Sequence, residues 1–455
     1  VGMSSPSGPV GFDSVLDAGR LGRFQLGVIV PCALVAMIDG FDTQSIGLVA
    51  PDIAADWGVR PATFGLVFGI GLFGGLLGAF LFGLTSDRYG RKPNLLVAVG
   101  VFGVVTLLTP VVDSVPELLA VRFVTGLGLG GALPGIIALT SEYTPARRRA
   151  TIVGLMFCGF PLGAVLGGLV AARLIPVLGW QAVFYVGGGL PLLLLPVLAL
   201  RLPESARFLA MAGDHAGLGR ILRRMGSPVR AEDIEAEPAA TRSPVASLFT
   251  DGRAPGTLLL WLVMFLSLLL AYLLTNWIPI VARQTGVGAA SAILGVAALN
   301  FGGILGCVTL GRLTDRSRRP TRVLAVAYVL GGLAIAAIGQ SGGSGGTLLL
   351  ACFVAGLLSL GAQLCTVALI AGFYETALRA TGVGWSVGVG RIGGIVGPVL
   401  GGLLVAAGMG APSLFLLTGL ASVGAAVAMF ALGTVRAARR ASAEVPTERV
   451  LDAGG

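Results

Sequence analysis

The sequence predicts an all-α integral membrane protein of twelve transmembrane helices in two pseudo-symmetric six-helix halves. Three observations carry this expectation: a charge-poor composition, twelve apolar segments of membrane-spanning length, and three motifs that recur in the second half. Of 455 residues, 55% are hydrophobic and 12% charged, about half the charged share of a soluble domain. Mean hydropathy is +0.91. Glycine, at 72 residues, is in large excess, as expected where helices approach closely in lipid.

A window of about 19 residues places the spans near 24–50, 62–84, 94–111, 117–140, 150–175, 180–200, 257–282, 291–311, 321–339, 346–371, 378–405 and 411–435. Val1-Gly2-Met3 begins a segment without signal-peptide pattern, so the first span is expected to direct insertion itself. An even number of spans puts both termini on one side. All but five of the 31 Arg and Lys fall on that side, in the terminal segments and the even-to-odd loops. Arg60, Arg173 and Arg283 fall opposite, and Arg122 and Arg391 lie inside spans. Both termini are therefore expected in the cytoplasm, with the chain in a bacterial inner membrane. The net charge of +9 then reflects orientation and contact with anionic lipid, not nucleic acid.

The chain divides at its longest polar stretch. We expect a cytoplasmic segment over 1–23, a six-helix half over 24–200, a cytoplasmic linker over 201–256, a second half over 257–435 and a tail over 436–455. The linker holds Pro203-Glu204-Ser205, the single histidine, His215, and an acidic run from Glu232 to Glu237. Short amphipathic helices are expected there. The halves echo each other at offsets of about 230 residues, which indicates a duplicated six-helix unit with a substrate site near the midplane. Gly83-Leu84-Thr85-Ser86-Asp87-Arg88-Tyr89-Gly90-Arg91-Lys92 recurs as Gly311-Arg312-Leu313-Thr314-Asp315-Arg316-Ser317-Arg318-Arg319. Arg149-Ala150-Thr151 recurs as Arg379-Ala380-Thr381, and Gly163 to Gly168 as Gly397 to Gly402.

Two acids interrupt the first span. Asp39 and Asp42 lie on one helical face, about a turn apart. An Asp near a membrane centre costs roughly 2.5 to 3.5 kcal/mol on insertion scales. A structural pair, buried and hydrogen-bonded between helices, is one reading. The other is an ion or proton site on a transport pathway, which we favour.

The loop pattern Gly-x3-Asp-Arg-x-Gly-Arg-Lys after the second span, with a weaker copy after the eighth, resembles the major facilitator superfamily over nearly the whole chain. Within it, three segments resemble the aromatic acid:proton symporter family: Asp39-Gly40-Phe41-Asp42, Ser141-Glu142-Tyr143-Thr144-Pro145-Ala146-Arg147-Arg148-Arg149, and Gly390-Arg391 through Pro398. The resemblance implies proton-driven uptake of aromatic carboxylates such as 4-hydroxybenzoate or protocatechuate. One departure is Ser317 where the first loop has Tyr89-Gly90, so the second latch is expected to be looser.

Residue chemistry assigns roles within that expectation. His215 lies in the linker, so a carboxylate must carry the proton. Arg122, in the fourth span, lies within about 5 Å of the depth of Asp42, and we expect these two to pair, with Asp39 a second candidate one turn deeper. Arg391 sits near mid-membrane among glycines, with no acid in the spans of its half. A guanidinium binds a carboxylate through two parallel hydrogen bonds, so Arg391 is the expected substrate anchor. Tyr272, Trp277 and Trp385 are candidates for the ring, and Asn276, Asn300 and Gln363 for its hydroxyls. Asp87, Arg88 and Arg91 face Glu142 and Arg149 on one membrane side, with Asp315 and Arg316 in the second copy. These charges are expected to act as gates.

Other chemistries lack support. Gly126-x-Gly128-x2-Gly131 and Gly388-x-Gly390-x2-Gly393 match a dinucleotide fingerprint, but both lie in apolar spans with no preceding strand. There is no Walker loop, HExxH or Gly-x-Ser-x-Gly, so no enzyme activity, cofactor or metal is expected. The five cysteines lack CxxC spacing and read as packing residues. A drug:proton antiporter is the nearest rival. Its helix-5 signature is incomplete at Ala150, Gly159, Gly163, Ala164, Gly167 and Gly168, and is matched instead in the eleventh span by Gly384, Gly393, Gly397, Pro398, Gly401 and Gly402. A transporter-like sensor would need an output domain for which the linker leaves little room. A monomer suffices for this architecture.

Overall fold

The computed structural model describes residues 10–18, 22–235 and 245–443. In chain order the elements are β1 (Val10–Gly11), α1 (Phe12–Ala18), α2 (Arg23–Trp57), α3 (Phe64–Tyr89), α4 (Arg91–Leu108), α5 (Val115–Glu142), α6 (Ala146–Phe157), α7 (Gly159–Leu178) and α8 (Gln181–Arg201). Then come α9 (Ala206–Met211), α10 (His215–Met225), β2 (Ile234–Glu235), α11 (Ala254–Gln284), α12 (Ala289–Arg316), α13 (Pro320–Ile338), α14 (Gly345–Ala355), α15 (Gly361–Ala371), α16 (Thr376–Ala406) and α17 (Ala411–Ala443). Among the described residues twelve helices or helix pairs are long and apolar enough to cross a membrane, α6–α7 and α14–α15 each counting as one. The all-α, twelve-span class is as expected. Among the described residues the only strands are the two-residue β1 and β2, which pair in parallel.

Several boundaries move from their sequence positions for identifiable reasons. The first span was expected to stop near residue 50, before Pro51 and the polar Asp52 and Asp56. Instead α2 runs on to Trp57 and closes on Gly58, whose left-handed φ of 64° lets its N–H reach the Ala54 carbonyl. The two acids find partners: Asp52 pairs with Arg283 at 2.9 Å, and the Trp180 indole donates to Asp56 at 2.6 Å. The fifth span is not continuous. It breaks at Cys158, between α6 and α7, where Pro161 lacks the N–H that would bond the Phe157 carbonyl. The tenth span carries a π turn over Gly356–Leu360, where Ser359 meets Ser422 at 3.3 Å and Ser422 donates to the Tyr328 carbonyl at 2.7 Å.

The described chain forms two compact units. One takes α1 to α10 together with Thr275–Gln284 from the end of α11 and Gly288–Asn300 from the start of α12. Within it α3 lies along α5, α2 along α7, and α4 against both α5 and α8. The other takes the remainder of the second half, with α13 along α17 and α15 against α16. Linker helix α10 is amphipathic as expected: Leu218, Ile221 and Leu222 enter the core of the first unit beside Leu209 of α9. Asp214 caps it by accepting from the Gly217 N–H at 2.8 Å.

Glycine sets the closest helix approaches. A Cβ on Gly40 would strike the Phe160 carbonyl, and one on Gly163 the Met37 carbonyl, so α2 and α7 touch backbone to backbone. In the first nucleotide-like motif, Gly126 meets Gly71, Gly128 meets Phe102 and Gly131 meets Phe82. Close packing accounts for that motif. We predict that Gly163→Ala lowers stability by about 1–3 kcal/mol through overpacking. Gly154→Ala, where nothing lies within 4 Å of the new Cβ, should be neutral or stabilise by up to about 1 kcal/mol. Thermal unfolding in detergent compares them, and equal midpoints would count against the packing account.

Candidate functional site

The two acids of α2 part company in the structure. Asp42 is fully buried, and its Oδ1 accepts a hydrogen bond from Thr106 Oγ1 of α4 at 3.0 Å. Its Oδ2 lies 3.7 Å from Arg122 Nη1 of α5 and accepts no hydrogen bond. The guanidinium, 4% exposed, donates from Nη2 to Thr109 Oγ1 at 2.9 Å and stands 4.8 Å from the ring centroid of Phe184 in α8. Small residues make room for this cluster: a Cβ on Gly187 would sit 3.5 Å from Asp42 Oδ1. Asp39, also buried, accepts from Thr43 Oγ1 at 3.0 Å. The depth match between Asp42 and Arg122 thus corresponds to an ion pair, although a looser one than a direct hydrogen bond.

Sequence reasoning overlooked Thr106, Thr109 and Phe184. A signal was present: the two threonines are the only hydroxyl side chains between Asn94 and Asp113 in an otherwise apolar segment.

The candidate substrate residues fall into two groups. In the first unit, Asn300 and Gln44 exchange side-chain hydrogen bonds at 3.2 and 2.9 Å. Asn276 lies against Gly47, and Trp277 is wholly buried, edge-on to Phe68 at 5.9 Å. Gln44 was not anticipated, although it follows Asp42 by two residues. In the second unit, Tyr272 packs against Gly394 of α16, one turn from Arg391. Trp385 stacks on Trp261 with centroids 6.0 Å apart and leaves 47% of its surface exposed. Arg391 and Gln363 are half-buried. Among the described residues no ion pair is seen at Arg391.

The charged loop residues form a network that includes Arg91 and Glu142, which the sequence placed on one side. Glu142 pairs with Arg91, not with Arg149. Arg149 instead meets Asp13 of α1 at 3.2 Å, and the same carboxylate holds Arg207 at 3.2 Å. Tyr143 to Pro145 break the chain between α5 and α6, so Glu142 and Arg149 do not lie along one helix. The start of α4 is capped by Glu204, whose Oε1 accepts from the N–H groups of Arg91 at 2.8 Å and Lys92 at 3.1 Å. Anionic oxygen at a helix N-terminus satisfies orphan donors and the local dipole. Tyr143 donates to the Glu204 carbonyl, and burial pushes this phenol up, keeping it a donor. Asp17 plays the capping role at α6, accepting from Ala146 N–H at 2.7 Å. Arg88 lies exposed over Tyr89, and the side chain of Asp87 lies outside the described residues. Asp315 and Arg316 are both exposed. The second unit has a different buried cation, Arg253, paired with Asp251 and, at 3.1 Å, with Glu375.

The chain as a whole is similar to known proteins. The Major Facilitator Superfamily model matches residues 32–385 and 260–452. The gallate transporter of Pseudomonas putida is 38% identical over 94% of this chain and 96% of its own length. The 4-hydroxybenzoate transporter PcaK of Pseudomonas aeruginosa is 39% identical over 89% and 93%. Among solved structures, the partially occluded inward-open xylose transporter XylE from E. coli superposes with a TM-score of 0.69 over 90% of this chain and 99% of its own, at 18% identity. The chain belongs to the Major Facilitator Superfamily, in the same family as these two bacterial aromatic-acid transporters.

Proposed function

We propose that this protein takes up an aromatic carboxylate, such as gallate or 4-hydroxybenzoate, together with protons across the bacterial inner membrane by alternating access. The observation that carries this reading is the buried Asp42–Arg122 pair inside membrane-spanning helices. Such a pair marks a proton or ion path more often than a structural strut. The named relatives supply the substrate class. Asp42 is the proton-carrying group and Asp39 an accessory acid. Arg391 binds the substrate carboxylate, and Tyr272, Trp277 and Trp385 are the candidates for its ring, with Asn276, Asn300 and Gln363 for its hydroxyls. The ion pair of Arg91 and Glu142, with Asp87, Arg88 and Arg149 nearby in the chain, gates one membrane face, and Asp315 with Arg316 serves the second copy. Both termini lie in the cytoplasm, basic loops rest on anionic lipid, and the working unit is a monomer.

Purified protein in liposomes tests this with radiolabelled 4-hydroxybenzoate and gallate. An imposed inward proton gradient should drive accumulation, and Asp42→Asn should reduce it to the equilibrium level while leaving exchange of labelled for unlabelled substrate intact. Accumulation undiminished in both Asp42→Asn and Asp39→Asn would remove the proton assignment. Arg391→Lys should raise the apparent KM by about 10- to 100-fold, the worth of a charge-assisted bidentate contact. An unchanged KM would show that the carboxylate is held elsewhere.

A further inference from the structure

We propose that Thr106, Thr109 and Phe184 form a neutral cradle that tunes the buried pair, Thr106 favouring the charged form of Asp42 and Thr109 with Phe184 favouring its protonated form. The inference deepens the proton role given above to Asp42 and rests on it.

Consider what protonation requires. Arg122 stays cationic throughout. If the carboxylate were its sole partner, a proton on Asp42 would strand a buried guanidinium, and the neutral state of the acid would be out of reach. The geometry avoids this. The hydrogen bond of Arg122 goes to Thr109 at 2.9 Å, whereas its approach to Asp42, at 3.7 Å, exceeds hydrogen-bond range. The face of Phe184 at 4.8 Å adds a cation–π contact. Neither partner changes when a proton arrives.

The carboxylate has the complementary arrangement. Oδ1 is held by the Thr106 hydroxyl at 3.0 Å, and Oδ2 accepts no hydrogen bond. The incoming proton therefore bonds to Oδ2, the carboxyl charge goes from −1 to zero, and Oδ1 remains as a carbonyl oxygen that still accepts from Thr106. A hydroxyl donor stabilises a carboxylate more than a neutral acid, so Thr106 opposes protonation while Thr109 and Phe184 permit it.

The two threonines lie three residues apart but serve different partners, Thr106 donating to Asp42 and Thr109 accepting from Arg122. α4 ends at Leu108, and Pro110 opens a short 3-10 turn that begins at Thr109. Few other charges face this cluster. Asp39 lies a turn away on α2, and α5 brings Arg122. α4 is ionisable only at Arg91 and Lys92, at its far end. α7 carries only the exposed Arg173, and α8 only the exposed Tyr185 and the terminal Arg201.

The test is the pH dependence of 4-hydroxybenzoate accumulation in liposomes at a fixed proton gradient. Removing a donor to the carboxylate tightens proton binding, so Thr106→Val should move the midpoint upward by about half to one pH unit. Removing a neutral partner of Arg122 returns the guanidinium to the carboxylate, so Thr109→Val and Phe184→Leu should move it downward by a similar amount. Thr106→Ser and Thr109→Ser, which keep the hydroxyl, should restore the wild-type midpoint. Substrate exchange without a gradient shows that each variant is folded. Should Thr109→Val lose exchange, Phe184→Leu carries the same downward expectation. Shifts in one direction for all variants, or unmoved midpoints, overturn the cradle while the proton role of Asp42 stands. Gradient-driven accumulation by Asp42→Asn overturns the proton role itself.

Discussion

A carboxylate and a guanidinium held out of water at 3.7 Å are the constraint around which the first unit is organised. Desolvating two such groups costs several kcal/mol each, and mutual attraction offsets this only when further partners are supplied. Four helices supply them. α2 brings the acid, α5 the arginine, α4 and the turn after it two hydroxyls, and α8 an aromatic face. Because no single helix can satisfy the pair, the cluster also binds these helices into one body. A looser bundle would leave buried charges uncompensated.

Close helix contact is the second condition. Helices in lipid gain little from apolar burial against one another, so their association rests on packing and polar contacts. The glycines of α2, α3, α5 and α7 let backbones touch, and that proximity brings Thr106 and Arg122 within reach of Asp42. Where regular helix fails, at Cys158 and in the π turn of the tenth span, a proline or a serine pair lies at the break. The breaks therefore have local causes.

The charged end of the first unit follows helix-terminus electrostatics more than pairing between loops. Glu204 and Asp17 serve as N-terminal caps for α4 and α6, and Asp13 draws Arg149 and Arg207 together. These contacts tie the N-terminal segment, the linker and two spans into a single polar layer. Glu142, buried at 4% exposure, is joined to that layer through Arg91.

The sequence by itself determined the membrane class, the number of spans, the duplication and the depth of the charged residues. Those properties are local or additive: apolar length, charge count, motif repetition and the helical rise. They also placed Asp42 level with Arg122, because depth follows from residue number along a straight helix. Only the tertiary structure decided the partners. Thr106 meets Asp42 at a sequence separation of 64, Glu204 meets Arg91 at 113, and Gln44 meets Asn300 at 256. Hydrogen bonds succeed or fail within a few tenths of an ångström and with the rotation of each helix about its axis. Spacing along the chain constrains neither across separate helices, which is why the acid and its arginine were legible while the hydroxyls and the ring that hold them were not.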